Sequence, residues 1–407
     1  MISGGGDGLP VSSGAGGGDG LDVVAARRAR LAALRSRMEI LQVDALVLSH
    51  GADLPWLTGY RAMPLERLSA LVVTRDADPL LVVPGLEAPK VPDPKGLFEL
   101  RPWGETEDPI AIVCAALAGS TGSIAGTGST GGGVRTVGVS DRAWSSTLLA
   151  LQERLEGCRF VASSMLSAPL RALKDQSEVA ALRAAAAAAD RVARALQEGE
   201  VRLAGRSEAE VSSEIAARLV SEGHSRVNFA IVASGSNGAS PHHDAGERVI
   251  SGGDLVVCDF GGELSLDGSA GYCSDITRTL AVGEPLREVR DAYEVLAAAQ
   301  RAGVAAARAG VPAGEVDAAA RKVIEEAGLG KYFIHRTGHG IGLEEHEHPY
   351  IVEGNDMPLE VGNAFSVEPG IYVEGRFGMR LEDIVVVTGP GSEVLNQADH
   401  ALVVVDT

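Results

Sequence analysis

Residues 335–350 read HRTGHGIGLEEHEHPY and hold four of the chain's nine histidines, together with three glutamates and three glycines. Imidazole and carboxylate together form the donor set of borderline divalent cations. His339, His346 and His348 lie among carboxylates, and Gly338, Gly340 and Gly342 leave the backbone free for unusual torsions. The stretch points to a metal site whose other ligands lie elsewhere in the chain.

Four acids stand where a strand pattern would exclude them. Asp259 follows LVVC, Asp275 lies in GYCSDITRT, Glu368 in FSVEPGIY and Glu382 in MRLEDIVVVT. A buried, unpaired carboxylate costs several kcal/mol, so each must neutralise, pair or bind a cation. Two Asp and two Glu balance two divalent cations, and one histidine from the cluster completes five side-chain ligands. Five is too few for two separate octahedral shells. Some carboxylates should therefore bridge, placing the ions about 3.5–4 Å apart with a shared water or hydroxide. An oxygen-rich set with one nitrogen favours Mn²⁺, with Co²⁺, Fe²⁺ or Zn²⁺ as alternatives. Cys258 and Cys273 sit near these ligands in sequence, but neighbouring side chains of a strand point to opposite faces, so thiolates are not expected in the set.

The elements that must position these residues fall into two groups. A helix leading into a strand (LDVVAARRARLAALRSRMEILQVDALVLSH) is followed by the apolar runs SALVVT and PLLVVPG; IAIVCAALAG and TVGVS continue the alternation. This predicts an α/β domain over residues 21–166, interrupted by a flexible Gly-rich loop at 118–134 that lacks the GKS/T ending of a phosphate cradle. LRALKDQSEVAALRAAAAAADRVARAL reads as one long helix opening a second domain, 167–407, with Pro169 at the boundary. Ser207 and Glu210 have capping-box spacing for the next helix, and Gly223 marks its stop. Strands NFAIVASG and LVVCDFGG, two amphipathic helices, and strands NAFSVEPGIYV and MRLEDIVVVTG follow, giving a loose symmetry of two helices then two acidic strands, twice over.

Length and composition are consistent with this. The chain has 407 residues, 45% of them hydrophobic, without an apolar run long enough to span a membrane. Residues 1–20 read as a flexible Gly/Ser-rich tail, not a signal peptide. The net charge of −19 argues against a nucleic-acid partner. Four cysteines without CxxC spacing suggest thiols in a reducing compartment, hence the cytoplasm.

The motifs DFG…SDITRT, GHGIG, EPGIY and RLED, in this order from about Leu170 onward, resemble those of the pita-bread metallopeptidases, closest to Xaa-Pro dipeptidase (prolidase) and aminopeptidase P. GADLPWLTGY more loosely resembles the creatinase-type N-terminal domain. The resemblance implies an α/β (α+β) protein with a C-terminal pita-bread catalytic domain and an N-terminal creatinase-like domain, assembled as a homodimer. It places the metal ligands on Asp259, Asp275, His339, Glu368 and Glu382. It makes His242 and His346 substrate contacts that assist proton movement, puts His335 in the substrate pocket, and has Arg380 orient a ligand carboxylate. His243 and His348 have no such match and read as solvated or structural. GELSLDGSAGYC, between the two aspartates, is several residues longer than the family's usual hairpin; a one-residue register shift there would turn Asp275 away.

The implied reaction is hydrolysis of the bond preceding proline in Xaa-Pro dipeptides by a hydroxide shared between the two metals. Glu368 is the general base, His242 and His346 stabilise the tetrahedral intermediate, and Tyr372 with His335 lines the proline pocket. Arg61 and Arg67, near WLTGY, are candidates for the wall that limits substrate length. Three alternatives stay open. One is aminopeptidase P acting on longer Xaa-Pro peptides, another a non-catalytic binding protein of this fold, and the third a metal-dependent hydrolase of another small amide or ester.

Overall fold

The computed structural model describes residues 23–119, 134–266 and 270–405. The expected tail, nearly all of the Gly-rich loop and Gly268 lie outside these residues.

The first half is built around one mixed sheet. Its elements are α1 (Val23–Ile40), β1 (Ala45–Leu48), α2 (Asp53–Thr58), β2 (Ala70–Thr74), β3 (Leu80–Pro84), β4 (Glu99–Trp103), α3 (Pro109–Gly119), β5 (Thr136–Val139), α4 (Ser145–Arg154), β6 (Arg159–Ala162) and α5 (Ser164–Ala172). The strand order is β4-β3-β2-β1-β5-β6. β1 is apolar at all four positions because both faces are covered. Leu46 and Leu48 pack with Leu34, Met38 and Leu166 of α1 and α5, while Ala45 and Val47 pack with Val113, Leu117 and Leu151 of α3 and α4. IAIVCAALAG, grouped above with the strand-like runs, is helix α3. Ten apolar residues outrun the four- and five-residue strands of this sheet, and the Ala content favours a helix.

The second half comprises α6 (Gln176–Gln197), α7 (Glu208–Ser221), β7 (Arg226–Ser234), β8 (Leu255–Leu264), β9 (Tyr272–Val282), α8 (Arg287–Ala306), α9 (Ala313–Glu326), β10 (Gly338–Gly340), β11 (Glu347–Ile351), β12 (Ala364–Val367), β13 (Gly370–Val373), β14 (Phe377–Arg380), β15 (Asp383–Val387), β16 (Ser392–Val394) and β17 (Val403–Val405). One sheet runs β17-β9-β8-β7, another β11-β10-β12-β15-β16, and β13-β14 form a hairpin. α6 and α7 back the first sheet through Val192, Leu196, Val211 and Ile215. α8 and α9 back the hairpin and the second sheet through Leu296, Ile324, Val316 and Ala320. With helices on the outer faces, the inner faces of these sheets are left to carry polar side chains.

Two expectations change. The long Ala-rich helix is two helices, α5 and α6, and Pro169 lies inside α5 rather than ahead of a single helix. The break occurs where the Lys174 N–H leaves the helix to donate to Gly362 O (2.8 Å) and Asp175 caps α6 in a capping box with Glu178. NAFSVEPGIYV and MRLEDIVVVTG each form two strands, interrupted at Glu368-Pro369 and Leu381-Glu382. The α7 cap at Ser207–Glu210 is present as read, and Gly223 has φ +105°. Among the described residues no helix is long and apolar enough to cross a membrane.

Candidate metal centre and substrate cleft

Strand alternation sorts the β8–β9 hairpin. Phe260 pairs with Ile276, and both enter the core beneath α6 and α7. The flanking positions therefore face the other side: Asp259 opposite Thr277, and Gly261 opposite Asp275. The two aspartates share a face, so the longer connection does not turn Asp275 away. Cys258 points to the core beside Phe260, as read. Cys273 does not follow that argument. It is two residues from Asp275 and so shares its side of the strand, but it accepts a hydrogen bond from Asn228 Nδ2 (3.6 Å) and stands outside the ligand grouping.

Glu368 and Glu382 lie just past the last rung of the β12–β15 ladder, Val367 opposite Asp383. Both chains break there, which frees the two side chains from the pleat. His339 enters between β11 and β12 through flanking glycines. A Cβ on Gly338 would stand 1.8 Å from Ser366 O, and one on Gly340 2.2 Å from His348 O. Nδ1 of His339 donates to Gly340 O (3.1 Å), which leaves Nε2 for the carboxylates. Nε2 is 3.2 Å from Glu368 Oε1 and 3.7 Å from Asp275 Oδ2.

The chemistry of this cluster fits bound cations. Donor atoms of Asp275, His339 and Glu382 all lie within 4.8 Å of one another. Asp259 Oδ1, Asp275 Oδ1 and Glu382 Oε1 are buried without a hydrogen-bond partner. Burial, then the neighbouring acids, push Asp275 and Glu382 well above the usual carboxylate range. Burial also raises Asp259, against the opposing pull of Arg380. Glu368 is the exception. Burial works to raise it, but hydrogen bonding and charge from His339 hold it down to about 2. Divalent cations would relieve this repulsion and restore the ionised forms that metal binding requires. Asp259, Asp275, His339, Glu368 and Glu382 could hold them.

The surrounding groups form a continuous chain. The buried Arg380 guanidinium binds Asp259 Oδ2, Thr277 Oγ1 (3.0 Å) and the Tyr372 hydroxyl (2.8 Å). Thr277 donates to Glu382 Oε2 (2.6 Å), Ser366 donates to Glu368 Oε1 (3.0 Å), and Tyr372 meets His335 Nε2 at 2.9 Å. Sequence reasoning missed Thr277 and Ser366. Thr277 had period two as its signal, since it lies two residues from Asp275 within β9; Ser366 had none, because β12 ends before Glu368.

With this geometry in view, similarity to known proteins is decisive. Residues 180–389 match the Metallopeptidase family M24, and residues 30–173 match the Creatinase/Prolidase N-terminal domain. The chain belongs to metallopeptidase family M24. A probable dipeptidase PepE of Mycobacterium tuberculosis is 44% identical over 385 residues, covering 94% of this chain and 97% of that protein. The crystal structure of dipeptidase PepE from Mycobacterium ulcerans superposes with a TM-score of 0.84 at 42% identity, covering 95% of this chain and 100% of that one. A prolidase from Thermococcus sibiricus gives 0.83 at 33% identity, over 93% and 99%. The architecture is that of the pita-bread prolidases, behind a creatinase-type N-terminal domain, and the protein is an M24 metallopeptidase.

Other sequence-predicted residues of this M24 chain divide into those near the centre and those away from it. The His346 ring lies 3.8 Å from that of His339, centroid to centroid. Burial, then the nearby His339 and Arg336, push its pKa down to about 4, so it is neutral at pH 7. His242 is exposed, within electrostatic reach of both His335 and His346. His243 is structural: it pairs at 2.8 Å with Glu208, a fully buried acid that also accepts from Ser234 and Asn237. His348 is exposed and packs on Tyr350. A cavity of about 490 Å³ adjoins His346, lined also by Arg61, Met63, Arg226, Cys273 and Leu343. Arg61 pairs with Glu263 at 3.1 Å. Arg67 does not line this cavity. It pairs with Glu66 and Glu105, because its position in the 61–69 segment turns it to the surface.

Proposed function

We propose that this metallopeptidase is an Xaa-Pro dipeptidase, hydrolysing the peptide bond that precedes proline in dipeptides. The observation that carries the reading is the set of three buried carboxylate oxygens without donors, on Asp259, Asp275 and Glu382, the last two of which group with His339 within 4.8 Å. Two divalent cations, most simply Mn²⁺, held by Asp259, Asp275, His339, Glu368 and Glu382 would supply an activated water and polarise the scissile carbonyl.

The side chains account for the remaining chemistry. Glu368, held ionised, accepts the water's proton. His346 and His242 donate hydrogen bonds to the developing oxyanion, and the proton taken up by Glu368 passes on, with their help, to the proline nitrogen as the peptide bond breaks. Arg380 fixes Asp259 through Oδ2 and leaves Oδ1 without a hydrogen-bond partner. His335 and Tyr372, hydrogen-bonded to each other, present ring faces to the proline. A bond to proline offers no N–H, so shape rather than donor matching must recognise it.

The Arg61–Glu263–Arg226 ion pairs, at 3.1 and 2.7 Å, favour a dipeptidase over aminopeptidase P, because they close the cavity with fixed charge where a longer chain would continue. We further place the protein in the cytoplasm, on its four free thiols, and expect a dimer. The division into residues 21–166 and 167–407 belongs to the same reading.

One assay tests the function: Mn²⁺-loaded protein with Ala-Pro, Gly-Pro and a longer Xaa-Pro peptide. Turnover of the dipeptides alone is expected. Cleavage of the longer peptide would transfer the reading to aminopeptidase P, and inertness towards all three would leave a binding protein. Glu368→Ala should lower kcat by about 10²–10⁴-fold, the usual loss for a general base; near-normal activity would refute the site.

A further inference from the structure

An ionic cluster beside the cleft takes no part in the chemistry above. Lys174, with a side chain 1% exposed, donates to Glu347 Oε1 (2.5 Å) and Arg171 O (2.6 Å). Arg171 pairs with Asp53 Oδ1 (3.0 Å), Glu344 Oε2 (2.9 Å) and Glu347 Oε2. Arg142 takes the other oxygen of Glu344 at 2.9 Å, and Ser163 and Ser167 donate to Asp53. Three cations thus balance three acids, most of them buried.

Buried ion pairs add little net stability over apolar residues of the same volume. What they do fix is geometry, and the geometry here concerns one residue. Glu344 and Glu347 flank His346. Glu347 is the first residue of β11, and His346 stands just before it in a bend. With Glu347 held on Lys174, the preceding His346 ring lies against that of His339. The His346 ring has weak anchoring of its own, a 3.5 Å contact from Arg336 and a tilted contact with His339, 3.8 Å between centroids. Gly342 makes room for the inward carboxylate, since a Cβ there would lie 2.3 Å from Glu347 Oε1.

The geometry points to Arg171 and Lys174 as positioning residues: they hold Glu344 and Glu347 so that His346 stays against His339, and through Asp53 they tie that placement to the N-terminal half. The inference rests on the role proposed for His346.

The test is a mutant cycle on the Mn²⁺-loaded protein with Ala-Pro. Lys174→Met should lower kcat by about 10–100-fold, the loss expected from a small misplacement of a reacting group. KM and bound manganese should stay unchanged, and Lys174→Arg should recover part of the loss. On a His346→Ala background, Lys174→Met should lower kcat no further. An equal loss on both backgrounds would overturn the proposal. If Lys174→Met fails to fold, Glu344→Gln replaces it in the same cycle with the same two outcomes. If His346→Ala alone keeps full kcat, the role of His346 is what has failed, and the clamp falls with it.

Discussion

A buried carboxylate oxygen without a donor stores electrostatic repulsion until a cation arrives, and three of the proposed ligands, Asp259, Asp275 and Glu382, each hold one. Asp275→Asn should therefore act in opposite directions in the two forms. It should weaken metal binding, read by titration calorimetry, yet raise the unfolding temperature of the metal-free protein by relieving the crowding around Glu382. The pH dependence follows from the same groups. Asp259, Asp275 and Glu382 have folded-state pKa values above their unfolded ones, so the folded form takes up protons first. Their contribution is fully present below the ordinary carboxylate range and is lost as pH rises through the folded values. These three acids should add thermal stability to the metal-free protein on acidification from pH 7 towards 5, against the opposing loss from the depressed His346, and Mn²⁺ should remove their share of the slope. At lower pH the sign reverses, because Glu368, Glu347 and Asp383 are depressed and lose their partners on protonation. His339 was picked out of its cluster only by the GHGIG resemblance, whereas the four acidic ligands proposed were legible because acids in apolar strands contradict their surroundings. Thr277 and Ser366 were not, because hydroxyls in strands contradict nothing, and the pairing of His243 with Glu208 spans 35 positions with no local pattern.

At the scale of elements, the glycines of GHGIG are steric requirements of β10, which lies against backbone on both sides. Gly338→Ala should displace β10 from Ser366, cost about 1–3 kcal/mol by overpacking, and reduce manganese binding; thermal unfolding and metal analysis check both. Ser207→Ala removes one half of a capping box on α7 and should cost about 1 kcal/mol without changing kcat. Capping at α7 was legible because Ser207 and Glu210 stand clear of other signals. The equivalent signal at α6, Asp175 with Glu178, was present too, but the unbroken Ala-rich periodicity around it hid the break. The interruptions at Glu368 and Leu381-Glu382 were hidden likewise, since strand propensity runs through residues that the tertiary structure pulls out of the ladder. IAIVCAALAG was ambiguous for a related reason: an apolar run without alternation fits a buried strand or a helix, and only packing decides.

In the whole molecule, the two halves meet through charged and aromatic contacts that no periodicity reports. Trp56 Nε1 and the Tyr272 hydroxyl both donate to Glu178 Oε1, and Arg30 joins Asp175 at 2.7 Å. Through this packing Arg61 of the first half comes to stand over Glu263 of the second. Arg61→Ala should raise the ratio of longer-peptide to dipeptide kcat/KM by about tenfold, roughly 1.4 kcal/mol of lost discrimination. The strand order of either sheet was not legible, because it depends on pairings far apart in the chain. The same separation matters during synthesis. Asp259 and Asp275 leave the ribosome more than a hundred residues before Glu382, and the β17 strand that flanks β9 follows later still. A chain cut short before Glu382 lacks one of the five proposed ligands, so on this reading the full set assembles only once the C-terminal strands are in place. Loading with a divalent cation should therefore follow closure of the C-terminal sheet and not precede it.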